Sequence, residues 1–420
     1  MNMYRRPMAH PITEESAREQ TALFTKKSVE DVDVRNKRVL VRVDFNVPLS
    51  EDSQVADDTR VRAALPTIEY LRSRGAKVIL MSHLGRPEGD VVERFRLRPV
   101  ALRLSKLLGI DVPALPSTVT GEVTAAVARM QAGDVILLEN LRFNKGETEN
   151  DPAFARKLAD LADIYVNDAF GAAHRDHASV TGVARYLPAC AGLLFKKEIE
   201  TLRRLISKPE RPFLAILGGN KISDKLGVID KFIDIVDGIL TGGGMCFTFL
   251  KAKGLSVGKS LCETDQVEAA ARMIEKANEA GISFYLPSDL VVATELSAGA
   301  PAKVVPIDAI PDDWMGLDIG PKTQEIYSKV IARAKTAFWN GPMGVFEIDK
   351  FAAGTRAVAE ALARNTKQGM LSIVGGGDSD AALKHFGLED QMYFVSTGGG
   401  ASLKVLEGTP LPGLEALQDA

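Results

Sequence analysis

Residues 213–221 read Phe-Leu-Ala-Ile-Leu-Gly-Gly-Asn-Lys, five apolar residues followed by a glycine pair, an amide and a cation. A short, uninterrupted apolar run of this kind predicts a strand that is buried on both faces, as the strands of parallel sheets are. The two glycines allow the backbone to turn sharply where the strand ends. The fold of the chain follows from this unit because the unit is repeated.

Similar apolar runs alternate with helical patterns, such as those at 151–162 and 266–280, along the whole chain. The runs lie at 39–44, 77–81, 134–138 and 164–166, and then at 213–217, 238–240, 283–286, 336–339, 371–374 and 393–395. Strands that alternate with helices form parallel sheets, and one series of runs lies in each half. The sequence therefore predicts an α/β protein with two doubly wound, parallel-sheet (Rossmann-like) domains.

Length and charge agree with this prediction and exclude some functions. A chain of 420 residues, 45% of them hydrophobic, exceeds what a single hydrophobic core commonly serves. A formal net charge of -3 gives no overall attraction to nucleic acid or to an anionic membrane. No stretch approaches the roughly 18 apolar residues of a transmembrane helix. Any phosphate must therefore be bound by local clusters of basic residues.

The cysteines and the N-terminus indicate a cytoplasmic protein. Cys190, Cys246 and Cys262 are widely spaced, which favours a reducing compartment over a disulfide framework or a zinc site. The first residues lack the apolar core of a signal peptide, and their glutamates argue against a transit peptide. We assign residues 1–23 to an N-terminal extension of unassigned function.

A junction between the domains is expected near Leu187-Pro188, where a new helical pattern begins. Apolar positions recur at helical spacing from Leu193 to Ile206, with charged residues between them. The pattern is typical of an ordinary amphipathic surface helix and is also compatible with a connector between domains. We divide the chain into domains at 24–188 and 207–401, joined by an interdomain helix at 189–206.

Arginines and histidines follow the apolar runs of the first half. Ligands of open parallel sheets bind where the strands end, and the arginine fork suits phosphate and carboxylate. A single arginine is more often a solvated surface residue, but several arginine-bearing loops at one edge reverse that preference. They predict a pocket for a small anion with more than one acidic group. The basic residues and histidines are Arg60, His83, Arg86, Arg142, His174, Arg175 and His177.

Glycine loops follow the runs of the second half, at 218–221, 242–244, 375–379 and 398–400. Glycine permits close approach of the backbone to a ligand, and a helix N-terminus presents free N–H groups to phosphate. One such loop often only ends a strand. Four at the same edge predict a site for a nucleotide or polyphosphate.

The familiar nucleotide fingerprints are absent from the sequence. Residues 254–260, Gly-Leu-Ser-Val-Gly-Lys-Ser, are one residue too short for a P-loop. No Gly-x-Gly-x-x-Gly follows the first strand, which disfavours a dehydrogenase, and the protein-kinase motifs are also missing. A different arrangement must hold the nucleotide.

Two lysines and an aspartate are candidates for that arrangement. Lys221 and Lys225 would share one face if their segment were helical, and beside a glycine loop we favour phosphate contacts for both. Asp378 follows three glycines, and Mg²⁺ is commonly held by one or two carboxylates together with substrate oxygens. The alternative role, a helix N-cap at Asp378 or Ser379, is compatible with the first.

Six segments of the chain resemble motifs of the phosphoglycerate kinase family, in the same order. They lie at 42–48 (Arg-Val-Asp-Phe-Asn-Val-Pro), 82–87, 167–175, 339–347 (Trp-Asn-Gly-Pro-Met-Gly-Val-Phe-Glu), 375–379 and 396–402. The resemblance, from about Phe24 onward, implies reversible phosphoryl transfer between ATP and 3-phosphoglycerate, forming ADP and 1,3-bisphosphoglycerate. It implies a role in glycolysis, gluconeogenesis or carbon fixation. It also implies a monomer of two lobes separated by a cleft and a hinge.

The resemblance further implies roles for individual residues. The phosphoglycerate site in domain 24–188 would contain Asp44, Phe45, Asn46, Arg60, His83, Leu84, Gly85, Arg86, Arg142 and Arg175. The nucleotide site in domain 207–401 would contain Lys225, Glu347, Gly376, Gly377, Asp378 and Ser379. Glu347 would hold the ribose hydroxyls and Asp378 the Mg²⁺ that the nucleotide carries. The groups facing the transferring phosphoryl would be Arg60, Lys221, Lys225, Gly398 and Gly399, and residues 402–420 would return to the first domain.

The chain departs from the family pattern at Asn220, where a smaller residue is commoner, and at Lys404, which replaces a glutamate. Two other functions stay open on the residues alone. One is a nicotinamide-dependent dehydrogenase, which the missing fingerprint disfavours. The other is a nucleotide-binding regulatory or scaffold protein without turnover, which the full set of basic residues disfavours.

Overall fold

Each half of the chain builds one parallel sheet in the computed structural model, which describes residues 25–420. The N-terminal unit contains residues 25–203 together with Thr409–Ala420, and the C-terminal unit is Arg204–Gly408. The predicted extension, residues 1–23, lies outside the described residues. The predicted α/β fold with two parallel-sheet units is confirmed.

The sheet of the N-terminal unit has five strands in the order β3-β2-β1-β4-β5, all parallel. These are β1 (Arg38–Arg42), β2 (Lys77–Met81), β3 (Val135–Leu137), β4 (Ile164–Asn167) and β5 (Ala189–Ala191). Consecutive residues Val39, Leu40 and Val41 are all buried, so both faces of β1 are covered, as the continuous apolar run predicts. The chain order reverses between β1 and β4, which is where ligands of doubly wound sheets bind.

The helices of this unit connect the strands. They are α1 (Thr59–Ser73), α2 (Arg98–Leu108), α3 (Gly121–Ala128), α4 (Lys145–Thr148), α5 (Pro152–Ala159) and α6 (Leu193–Ser207). Helix α6 buries Phe195, Ile199, Leu202 and Leu205, and the division between the units falls within it. Residues 189–191, predicted to begin the interdomain helix, form β5 instead. Their small side chains, Ala-Cys-Ala, give no helical pattern and fit beside β4.

The C-terminal unit contains a parallel sheet and a smaller antiparallel one. Its strands are β6 (Phe213–Leu217), β7 (Gly238–Thr241), β8 (Ser283–Tyr285), β9 (Asp289–Ala293), β10 (Ala302–Pro306), β11 (Met315–Ile319), β12 (Thr336–Asn340), β13 (Leu371–Gly375) and β14 (Phe394–Val395). The parallel sheet has the order β14-β13-β12-β6-β7-β8, and the antiparallel sheet the order β10-β9-β11. The chain order of the parallel sheet reverses between β12 and β6.

The remaining helices are α7 (Leu226–Ile235), α8 (Met245–Ala252), α9 (Val267–Glu279), α10 (Pro321–Ile331), α11 (Ala353–Thr366), α12 (Gly377–Phe386), α13 (Gly400–Leu406) and α14 (Pro412–Glu415). None of the helices within residues 25–420 combines the length and apolar character that a membrane span requires.

All ten predicted apolar runs form strands, whereas the antiparallel sheet was not predicted. Strand β10 exposes four of its five residues, and β11 mixes glycine and aspartate with apolar residues. Neither strand therefore shows the apolar run that reveals a strand of a parallel sheet. A continuous run marks burial on both faces, and these strands do not have it.

The C-terminal segment completes the N-terminal unit. The backbone N–H of Lys27 donates to the carbonyl of Gln418 at 2.8 Å, and the N–H of Gln418 donates to the carbonyl of Ala189 at 3.0 Å. Leu411, Leu414 and Leu417 are buried in the same segment. The segment therefore adds both hydrogen bonds and apolar packing to a sheet formed more than two hundred residues earlier.

We expect Leu414→Ala to destabilise the protein by about 2–5 kcal/mol, because the substitution leaves a cavity where a buried leucine packs. Urea unfolding of the full chain measures this change. The control is Glu415→Ala at the exposed neighbouring position, which should change stability by less than about 0.5 kcal/mol. Equal effects of the two substitutions would contradict a packed C-terminal segment.

Candidate functional site

The strand ends of the N-terminal unit bring predicted residues from three elements together. The Nη1 of Arg60, in the first turn of α1, donates to the Asp44 carboxylate at 3.1 Å and to the Asn46 carbonyl at 3.3 Å. The Asn46 side-chain oxygen accepts from the N–H of Gly85 at 2.9 Å. The loops after β1 and β2 and the start of α1 are therefore fixed to one another.

A buried asparagine fixes the loop after β3 to the same group. The Asn140 side chain accepts from the N–H of Leu84 at 3.2 Å and donates to the carbonyl of Leu84 at 2.7 Å. Next to it, the guanidinium of Arg142 donates to the Gly85 carbonyl at 2.6 Å. Arg142 thus lies beside the loop that carries His83 and Arg86.

Arg175, in the loop after β4, is the last of the predicted residues at this edge, and one of its N–H donors has no partner. Its guanidinium is half-buried close to Asp44 and Arg42, whose charges act on it. Its Nη1 is buried and has no hydrogen-bond partner. Since buried polar atoms are nearly always paired, this donor marks a place where an acceptor of a ligand fits.

Arg42 belongs to the site and was missing from the predicted site residues. It is 1% exposed at the end of β1, and its Nη2 lies 3.0 Å from Nδ1 of His83. A guanidinium only donates hydrogen bonds, so Nδ1 of His83 accepts and its Nε2 carries the hydrogen. Arg42 also donates through Nε to Ser179 at 2.9 Å. A charged residue inside an apolar strand run was the sequence signal that could have revealed it.

Two predicted substrate residues, Phe45 and Leu84, have their side chains in the hydrophobic core. The Phe45 N–H donates to Ser82 Oγ at 2.9 Å, and both backbone groups of Leu84 bond to Asn140. Their side chains hold the loops in place. The groups that face outward come from their neighbours in the sequence.

In the C-terminal unit, the loops that follow three strands are in backbone contact at glycine residues. A Cβ on Gly218 would lie 2.1 Å from the Pro342 carbonyl, and a Cβ on Gly243 would lie 2.6 Å from the Gly219 nitrogen. Gly341 has φ +93 and would place a Cβ 2.4 Å from the Gly218 backbone. Only glycine permits this contact of backbones after β6, β7 and β12, at the point where the sheet order reverses.

Lys221 and Lys225 do not share a helical face, because the segment that joins them is not helical. Helix α7 begins at Leu226, Lys225 is its N-cap residue, and Lys221 lies in the preceding turn. Gly219 and Asp224 favour a tight turn at this place over an early helix start. Lys221 is exposed, whereas burial lowers the pKa of Lys225 and the charges of Asp224 and Asp378 raise it.

The loop after β13 leads directly into α12. The N-cap of α12 is Gly376, so neither Asp378 nor Ser379 caps it as the sequence suggested. Ser379 is buried, and its Oγ accepts from the Gly341 N–H at 2.6 Å, which ties α12 to the loop after β12. Asp378 is exposed in the first turn, beside the open N–H end of the helix.

The other predicted nucleotide and catalytic residues lie at the same edge. Glu347 is exposed in the loop after β12, and Gly377 has open space around its Cα. Gly399 is the N-cap of α13, and the N–H of Gly398 donates to Ser396 Oγ at 3.1 Å. Parallel strands end at one edge, so these glycine loops form one N–H-rich surface.

The two departures from the family pattern do not obstruct this edge. Asn220 is exposed after Gly219. Lys404 lies on α13, and its Nζ forms an ion pair with Glu407 at 2.9 Å.

Comparison with known proteins decides the family. The family model for phosphoglycerate kinase matches residues 29–409. This chain belongs to the phosphoglycerate kinase family. It is similar to the phosphoglycerate kinase of Coxiella burnetii, with 45% identity and a TM-score of 0.82, over 93% of this chain and 98% of that one. It is also similar to the enzyme of Pyrococcus horikoshii, with 33% identity, a TM-score of 0.82 and the same coverages.

The family catalyses phosphoryl transfer between ATP and 3-phosphoglycerate in glycolysis, and this chain is an enzyme of that type. The resemblance drawn from the six motifs is confirmed, and the dehydrogenase and the protein without turnover are excluded. The chemistry must join an anionic acid to an anionic nucleotide, so the charge at the two strand edges matters most.

The arginines at the edge of the N-terminal sheet carry positive charge, although burial and the neighbouring arginines disfavour the charged form. Burial, followed by the charges of Arg175 and Arg42, lowers the pKa of Arg142 to about 10. The pKa of His83 is lowered well below its ordinary value, by burial first and then by Arg42 and Arg142. The histidine is therefore a neutral donor, and the arginines carry the positive charge at this edge.

We expect His177 to titrate far below the ordinary range, since burial and then Arg142 and Arg175 lower its pKa from 6.5 to about 4. The unfolded chain takes up this proton first, so the fold loses stability as the pH falls from about 6.5 toward 4. The Cε1–H signal in an NMR titration measures the midpoint. His177→Gln removes the signal and should flatten the pH dependence of unfolding in that interval; a midpoint near 6.5 would contradict the electrostatic account.

Proposed function

We propose that this enzyme transfers the phosphoryl group by direct in-line displacement between Mg-nucleotide and the carboxylate of 3-phosphoglycerate. The N-terminal unit binds phosphoglycerate and the C-terminal unit binds nucleotide. The observation that carries this assignment is the group of arginines at the edge of the N-terminal sheet, where burial lowers the pKa of Arg142 and Arg175 and the charge of Arg42 lowers both further. Such a cluster is favourable only when an anion joins it.

Phosphoglycerate is held by the group built on Asp44, Asn46, Arg60 and the loop residues His83 to Arg86, together with Arg142 and Arg175. The spare Nη1 of Arg175 and the exposed guanidinium of Arg86 are free to form bidentate contacts with the phosphate. The neutral His83 donates from Nε2 without adding charge. Phe45 and Leu84 contribute through packing, because their side chains are buried in the core.

The nucleotide is held by the glycine edge of the C-terminal unit. Gly376, Gly377 and Ser379 form the start of α12, whose N–H groups suit phosphate oxygens. The exposed carboxylate of Glu347 is suited to accept hydrogen bonds from ribose hydroxyls. The half-buried Lys225 faces the phosphates, because its Nζ lies near Gly219 and within the field of Asp378.

The residues present fit a magnesium ion carried by the nucleotide. Residues 25–420 contain no group of three or more histidine, cysteine or acidic side chains that would form a cage for a resident metal. A single exposed carboxylate, Asp378, suits an ion that takes its other oxygens from phosphate and water. When bound, the ion neutralises charge on the phosphates.

The reaction needs positioning and charge compensation more than acid–base chemistry. The attacking carboxylate is already ionised at neutral pH, so no side chain has to remove a proton. Arg60, Lys221, Lys225 and the loop that contains Gly398 and Gly399 offset the repulsion between the two anions. In-line transfer requires the bound substrates to meet, so closure of the two units accompanies each turnover and excludes water.

We further propose that the enzyme acts as a monomer in the cytoplasm. All three cysteines are free thiols, as a reducing compartment requires.

Arg60→Ala should lower kcat by at least about a hundredfold and leave the Kd of MgADP nearly unchanged, because Arg60 stabilises transferring charge and also holds Asp44 and Asn46. A coupled assay with ATP, Mg²⁺ and 3-phosphoglycerate measures the rate, and calorimetry measures the Kd. Arg62→Ala is the control, since Arg62 is exposed on the same helix and pairs with Asp58. A similar loss of nucleotide binding in Arg60→Ala would show that its role is misassigned.

Asp378→Ala should weaken binding of MgADP at least about tenfold and leave the KM for 3-phosphoglycerate unchanged, because the carboxylate contacts the ion on the nucleotide. Without Mg²⁺, the difference from the wild type in ADP binding should become small. Asp390→Ala, at an exposed position after α12, serves as the control. Identical MgADP titrations for Asp378→Ala and the wild type would refute the assignment.

A further inference from the structure

A buried aspartate lies behind the loop that carries Glu347. Asp318, on β11, is 3% exposed. The pairing of β11 with β9 shifts register between Gly316 and Asp318, and such a bulge redirects the side chain that follows it. Burial raises the pKa of Asp318 to about 8, while the backbone N–H groups of Gly354 and Ile319 favour its ionised form, so the carboxylate predominates above that pH.

Both carboxylate oxygens of Asp318 accept backbone hydrogen bonds. Oδ2 accepts from the N–H of Gly354, in the first turn of α11, at 2.7 Å, and Oδ1 accepts from the N–H of Ile319 at 2.9 Å. The N-cap residue of α11, Ala352, supplies no side-chain cap. A strand residue distant in sequence therefore caps this helix.

The same carboxylate lies against the loop after β12. A Cβ on Gly344 would lie 2.2 Å from Oδ1 of Asp318, and a Cβ on Gly354 would also lie 2.2 Å from it. The carboxylate thus fills the space between the loop and the helix, and glycine on both sides is what allows it to do so.

Backbone hydrogen bonds attach the loop after β12 to β11 and α11, the two elements that Asp318 joins. The N–H groups of Met343 and Gly344 donate to Thr355 Oγ1, in the first turn of α11, at 3.0 and 3.2 Å. The N–H of Val345 donates to the carbonyl of Leu317, the residue before Asp318, at 2.9 Å. The position of this loop therefore depends on how β11 and α11 are placed relative to each other. Glu347 follows Val345 by two residues, so its position depends on the same contacts.

We propose that Asp318 is a positioning residue for the nucleotide, which sets nucleotide affinity by locking β11 to the start of α11 and so fixing the segment from Gly344 to Glu347. The proposal rests on the assignment of Glu347 and the glycine edge to nucleotide binding. It adds a residue that does not touch the nucleotide and that no sequence motif identified.

The first variant is Asp318→Asn, which keeps the volume but turns an amide NH₂ toward one of two N–H donors. We expect the Kd of MgADP to rise about fivefold or more, with kcat at saturating nucleotide and the KM for 3-phosphoglycerate within about twofold of the wild type. Calorimetry and the coupled assay measure these values above pH 8, where Asp318 is ionised, and at a temperature where both proteins are folded.

The matched control is Asp289→Asn. Asp289 is also buried, and its carboxylate accepts from the N–H groups of Lys322 and Thr323 at 3.1 and 2.8 Å, at the start of α10. Asp289→Asn should lower the thermal midpoint by a similar amount while leaving the Kd of MgADP unchanged. Equal losses of nucleotide affinity in both variants would mean that stability alone is being measured, and would overturn the proposal.

A second variant changes the contact between the Asp318 carboxylate and α11. Gly354→Ala places a methyl group 2.2 Å from Asp318 Oδ1 and 2.3 Å from Ile319 Cγ1, so β11 and α11 must shift apart, and the Kd of MgADP should rise as in Asp318→Asn. If the wild type fails to bind MgADP, the nucleotide assignment itself fails. If the wild type binds and both variants bind equally well, the positioning role of Asp318 is refuted and the assignment stands.

Discussion

Repulsion among buried cations is the constraint on which the N-terminal site depends. Burial, followed by the charges of Arg175 and Arg42, lowers the pKa of Arg142, and burial and the charge of Arg42 lower the pKa of Arg175. No local sequence preference brings such groups together. They are held there by strands whose apolar residues are buried on both faces, so the packing of the sheet offsets an arrangement that is unfavourable by itself. An anionic substrate relieves the repulsion, and this favours its binding over that of a neutral molecule.

The edge of the C-terminal sheet, to which we assign the nucleotide, is built from backbone groups where the N-terminal edge uses arginines. There the strand ends are glycines whose backbones touch, and the donors are N–H groups instead of guanidinium groups. Amide dipoles need no counter-charge in the empty protein, so this edge is not under electrostatic strain. The lysine nearest the edge, Lys225, is the group whose pKa burial lowers. One fold therefore supports a charged pocket in one unit and a nearly neutral cradle in the other.

Most strands of the two parallel sheets were predictable from the sequence, because a strand buried on both faces appears as an uninterrupted apolar run. Every uninterrupted apolar run proved to be a strand, and the residues directly after the runs proved to lie at strand ends. What escaped prediction depends on contacts between distant residues. Arg42 was read only as part of a strand, and Asp318 lies in a strand that shows no apolar run. The sequence left open whether the segment from Lys221 to Lys225 is helical, since the glycine pair before it does not reveal where the helix starts.

The chain leaves the N-terminal unit within α6 and returns to it only after Gly408. The unit that is synthesised first is therefore completed only after the second, because the segment that pairs with Lys27 and Ala189 follows the second unit in the sequence. The apolar surface that Leu411, Leu414 and Leu417 cover is therefore exposed until these residues have been synthesised. A chain that is cut before Thr409 would lack this segment, and its N-terminal unit would lose the hydrogen bonds and buried leucines that the segment supplies.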